Sequence, residues 1–107
     1  MNTAYGYIDQ NGNLVETTSN AGITGAGRSG TGRFWVTFAP GFFNKNPVVL
    51  ATVATSTNVG GQSGTNRTIS VSFNSVTRVE IGIRVASESN DKSDDRPFYI
   101  YAIGSSS

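Results

Sequence analysis

Glu88, Asp91, Asp94 and Asp95 form the densest group of side chains in this chain that are able to do chemistry. Oxygen-rich clusters of this kind hold calcium, which takes several carboxylate and carbonyl ligands. The order Asp91-Lys92-Ser93-Asp94-Asp95 does not follow the spacing of an EF-hand loop, so a solvated polar loop is the plainer reading. Two of the carboxylates would act as a glycosidase pair if they stood ~5 to 10 Å apart with one pKa raised. A hydrophilic loop supplies no cause for that rise, which disfavours hydrolysis. The chain has no cysteine and no histidine. Thiolate chemistry, disulfides and Cys-based zinc sites are therefore excluded, and the side chain best suited to proton transfer near neutral pH is missing. The expectation is a non-enzyme that needs no cofactor or metal.

Two further motifs fail on context. Gly25-x-Gly27-x-x-Gly30 spells the dinucleotide fingerprint, but no βαβ pattern surrounds it and the next element reads as a strand. Asn66-Arg67-Thr68 is a glycosylation sequon, which matters only in a host that modifies secreted proteins.

The elements that must position such residues are strands. Arg33-Phe34-Trp35-Val36-Thr37-Phe38 alternates polar and apolar positions, and so do the segments 68–73 and 78–85. A period of two gives one wet and one buried face, as in half-buried antiparallel sheet. Six or seven short strands separated by turn-rich segments predict a small all-β antiparallel sandwich. At 107 residues the chain suits one domain. It divides into an N-terminal hairpin and Gly-rich loop (1–32), a core (33–104) and a frayed tail (105–107).

Within the first part, Tyr5-Gly6-Tyr7-Ile8 and Leu14-Val15-Glu16-Thr17 flank an Asn-Gly turn and read as a hairpin. Residues 18–32 lack apolar periodicity apart from Ile23, and read as an ordered surface loop or short edge strand. In the core, Phe34, Val36 and Phe38 point inward and Trp35 outward. Residues 48–55 are apolar on both faces in their first half, which predicts a central strand covered on both sides. Residues 86–97 read as a polar loop.

Only 14% of residues are charged, against ~25% in typical soluble domains. The net charge of +1, without a basic block, points to no nucleic-acid partner. No apolar run approaches the ~20 residues that span a bilayer, so no membrane insertion is expected. The residues from Met1 to Tyr5 have neither the basic region nor the apolar core of a signal peptide.

The last strand departs from the polar-outward rule. Phe98, Ile100 and Ala102 supply one inward face, leaving Tyr99, Tyr101 and Ile103 apolar on the other. That face is either a second core layer or a subunit interface, for which Tyr and Trp are well suited. Trp35 joins it as an interface candidate, with a core position or stacking on a sugar ring as its other readings.

Val36-Thr37-Phe38, then Phe42 or Phe43, then Pro47-x-Val49, resembles the opening of the H-type lectin domain, the family of snail agglutinins and the discoidin C-terminal domain. Arg67 before Ile69-Ser70-Val71, Val76-Thr77, and the closing Tyr101-Ala102-Ile103 continue the resemblance over residues 34–104. The leading part also looks like modules at the tips of bacteriophage tail fibres and in some bacterial surface proteins. Those run from a Tyr-Gly strand into a Gly-Thr-Gly-Arg-aromatic strand, here Gly30-Thr31-Gly32-Arg33-Phe34.

The lectin resemblance implies an antiparallel sandwich that assembles as a parallel homotrimer, sometimes paired into a hexamer. It implies glycan partners of the galactose or N-acetylgalactosamine type, bound where protomers meet. The sequence leaves the location open, with an extracellular or virion-surface site favoured over a cytosolic one. Arg67 stands where the family has its sugar-contacting arginine. It also suits a carboxylate of a neighbouring protomer or an exposed strand start. The family's aspartate before the first long strand is absent, and so are the histidine and tryptophan of its late loop. The ligand-binding candidates are Arg67, Asn66 and Arg28, with Asp91, Asp94 and Asp95 as substitute acceptors. The interface candidates are Trp35, Tyr99, Tyr101 and Ile103.

Overall fold

The computed structural model describes residues 1–54, 67–85, 92–93 and 95–106, with the backbone alone at 67, 85, 92 and 93. The described residues form eight strands: β1 (Asn2–Ile8), β2 (Ile23–Gly30), β3 (Arg33–Phe38), β4 (Val48–Val53), β5 (Arg67–Asn74), β6 (Arg78–Val85), β7 (Lys92–Ser93) and β8 (Phe98–Gly104). They make two antiparallel sheets. One runs β1-β8-β4, the other β2-β3-β6-β5 with the short β7 beside the end of β6. The protein is a small all-β sandwich.

Alternation along each strand builds the core. Ala4 and Ile8 of β1 and Phe98, Ile100 and Ala102 of β8 face Phe34, Val36 and Phe38 of β3 and Val79, Ile81 and Ile83 of β6. All are buried, and each large apolar side chain removed from water stabilises the fold by roughly 1.5–3 kcal/mol. Phe34 and Phe98 join the sheets edge to face, with ring centroids 5.3 Å apart. Phe43 closes one end, packed edge-on against Phe38 at 5.1 Å.

Four sequence expectations change. The hairpin after β1 keeps its turn but not its second strand. Asp9 Oδ1 accepts from the backbone N–H groups of Asn11 and Asn13, and Leu14 makes only an isolated bridge to Ile8. The chain then enters a 3-10 turn at Glu16–Thr18. Gly12 fits the earlier Asp9–Asn13 turn for two reasons: its φ is +89°, and a Cβ there would lie 2.6 Å from the backbone nitrogen of Arg28.

Second, of the two readings of residues 18–32, loop or short edge strand, residues 23–30 take the second but run longer: they form the eight-residue edge strand β2, paired along β3 from Ile23↔Phe38 to Gly30↔Arg33. Third, β4 is not central. It forms an edge of the three-stranded sheet, and its outward Val48 and Leu50 are each 62% exposed. Being apolar on both faces did not mean being covered on both. Fourth, the polar stretch 86–97 contains β7, which pairs Arg84↔Ser93 and Val85↔Lys92 with β6.

Candidate functional site

The outward face of the β1-β8-β4 sheet concentrates apolar groups in three cross-strand rows. Register places Thr52, Tyr99 and Tyr7 in one row, Leu50, Tyr101 and Tyr5 in the next, and Val48, Ile103 and Thr3 in the third. Neighbours across strands lie close enough for side chains to touch. Tyr7 and Tyr99 do so, with ring centroids 4.9 Å apart and planes tilted by 45°. Partial burial, followed by the neighbouring Tyr99 and Asp9, pushes the Tyr7 phenol above its ordinary pKa.

Tyr5, Tyr99 and Tyr101 remain 47%, 48% and 40% exposed. Tyr99 and Tyr101 are therefore not a second core layer within the described fold. Beside them lies an open trough of about 530 Å³, lined by Tyr5, Leu50, Tyr99 and Tyr101 with Thr17 and Thr18 at its rim. A surface of this kind can bury apolar area against a partner, while its phenols and hydroxyls keep hydrogen bonds to the rim.

Sequence reasoning named Tyr99, Tyr101 and Ile103 of this face but not Tyr5, Leu50 or Val48. The signals were present. Tyr5 and Tyr7 share a face by alternation, and the outward apolar residues of β4 are those that make it apolar on both sides.

Trp35 lies on the outer face of the other sheet, half-buried. Its indole covers Gly27 so closely that a Cβ there would sit 2.3 Å from the ring. Arg78 caps it from above, with the guanidinium carbon 5.2 Å from the ring centroid. Trp35 and the tyrosine face thus point to opposite sides of the sandwich.

Among the ligand candidates, the structure brings Arg28 and Asp95 together. Arg28 Nε donates to Asp95 Oδ2 at 2.9 Å, and Arg28 Nη2 donates to Thr31 at 3.1 Å. Asp95 Oδ1 accepts from the Gly32 N–H at 2.7 Å. The carboxylate thus ties residues beyond β7 to the β2–β3 turn. Arg67 opens β5 with its backbone opposite Val85 of β6, at the same end of the sheet as β7. Asn66, Asp91 and Asp94 lie outside the described residues, as does Glu88 of the calcium reading.

Comparison with protein-family models, curated proteins and solved structures yields no match.

Proposed function

We propose that this chain is a non-catalytic recognition domain that acts as a homotrimer and binds glycans. The carrying observation is the tyrosine- and leucine-lined outer face of the β1-β8-β4 sheet. Contact between copies of the chain removes that apolar area from water and gathers several identical sites on one particle. Weak binding at each site then becomes useful avidity when sites engage together. The trimer and the galactose or N-acetylgalactosamine class come from the resemblance to the H-type lectin domain.

A glycan array read with wild type and Arg67→Ala, alongside the mass of each in solution, tests this function. The expected result is a trimer in both and glycan binding that falls in Arg67→Ala. No glycan bound by an intact wild-type trimer would remove the lectin reading.

A second reading, a structural trimerisation or receptor-binding tip domain of a tail fibre or bacterial surface protein, is favoured by one observation. Arg28 and Asp95 spend their donors and acceptors on each other and on the β2–β3 turn. Two groups suited to a ligand are thereby committed within the chain.

A further inference from the structure

On the outer face of the larger sheet, opposite the tyrosines, a hollow of about 150 Å³ opens over Gly82 in the middle of β6. The fold does not explain this glycine. Its φ is not positive, and the nearest atom to a Cβ built there is Ser70 Oγ at 3.6 Å, an ordinary contact. Glycine inside a strand costs roughly 0.5–1 kcal/mol relative to alanine and often marks a place where a ligand approaches the backbone.

The surroundings point the same way. Arg33 of β3 and Ser70 of β5 stand directly across from Gly82 on its two sides. Glu80 and Arg84 flank it along β6, and Ser72 completes the rim. Among the described residues, Arg33 and Arg84 have no ion-pair partner, whereas Glu80 is paired with Arg78 at 3.2 Å.

We propose that the hollow over Gly82 is a binding site for a carboxylate-bearing sugar ring. The guanidiniums of Arg33 and Arg84 offer paired donors to the carboxylate. Ser70, Ser72 and Glu80 match ring hydroxyls, since a serine hydroxyl both donates and accepts and a carboxylate accepts. Glu80 also disfavours a compact, multiply charged anion such as phosphate, which cannot hold its charge on the arginines and away from this carboxylate as a sugar ring can. The bare peptide at Gly82 lets a ring lie against the sheet. Every group belongs to one chain, so the site is complete without assembly. It shares the saccharide class with the function proposed above but not the seam between protomers.

The test is titration of the isotopically labelled full chain with D-glucuronate, N-acetylneuraminate, D-glucose and inorganic phosphate, followed by amide NMR. The acidic sugars are expected to shift the Gly82 and Ser70 amides saturably, and glucose and phosphate are not. Arg33→Gln and Arg84→Gln each lose a charge-assisted bond and should weaken binding by about tenfold. Gly82→Val should fill the hollow and abolish binding while keeping the wild-type melting temperature or raising it. Gly82→Ala, a smaller filling, should bind more weakly than wild type. No shift with either acidic sugar would overturn the proposal. So would equal shifts with glucose or phosphate, or undiminished binding by a folded Gly82→Val. These outcomes do not depend on the mass of the particle, so this site and the homotrimer stand or fall separately.

Discussion

Asp95 reaches across the larger sheet to Arg28, a residue 67 positions earlier, and holds the β2–β3 turn closed with one carboxylate oxygen on Arg28 Nε and the other on the Gly32 N–H. The Arg28 side chain is 37% exposed and that of Asp95 30%, so the ion pair itself contributes little. The bond to the partly buried Gly32 N–H contributes more, because its loss leaves that donor without a partner. Asp95→Ala is expected to lower stability by about 1–3 kcal/mol, while Asp95→Asn, which retains an acceptor, should cost less. Urea denaturation of the two variants checks the order. Equal stability of Asp95→Ala and wild type would show that the clamp is idle.

The contact of Trp35 with Gly27 makes a second prediction. A methyl group at position 27 would need space the indole already fills. Gly27→Ala should cost about 1–3 kcal/mol, typical of overpacking, and should shift tryptophan emission to the red as the ring lifts. In a Trp35→Thr background the same substitution should cost much less, and a double-mutant cycle reads the difference. An unchanged cost in that background would mean that β2 itself rejects the alanine.

Tyr7 gives the fold an alkaline sensitivity. Its folded pKa lies above the ordinary 10.0, chiefly through burial and then through Tyr99 and Asp9. The unfolded chain therefore releases this proton first as pH rises. The contribution is fully present below the ordinary value and declines as pH climbs from there through the folded pKa. Denaturation midpoints measured on either side of the ordinary tyrosine pKa should fall with pH, and fall less in Tyr7→Phe. Identical slopes in both proteins would contradict this assignment.

Strands whose apolar residues strictly alternate were readable from sequence. Phe34, Val36 and Phe38 in β3, and Phe98, Ile100 and Ala102 in β8, occupy the core as alternation predicts. β2 was legible only as one of two alternatives, because its inward contribution is small, chiefly Ile23 and Ala26, while its glycines serve the packing of Trp35 instead. β4 misled because an outward apolar strand has the same pattern whether its own fold or another molecule covers it. The Arg28–Asp95 clamp depends on topology that no local pattern carries. Gly82 gave no signal either, since its meaning comes from Arg33 and Ser70 on the neighbouring strands.

The tyrosine face predicts a separation of folding from assembly. Tyr101 and Leu50 lie outside the core, so Tyr101→Ser and Leu50→Lys should leave the folded chain intact by circular dichroism. Each should weaken association, Tyr101→Ser by up to ~1.5–3 kcal/mol per copy, the range for burying an aromatic side chain. A variant that unfolds, or one that assembles like wild type, would assign these residues a different role.

Sedimentation equilibrium of the wild-type chain at micromolar concentration tests the proposed assembly most directly. The tyrosine face and the lectin resemblance together predict a particle with three times the mass of the 11.3 kDa chain. A single-chain mass across the whole concentration range would contradict it.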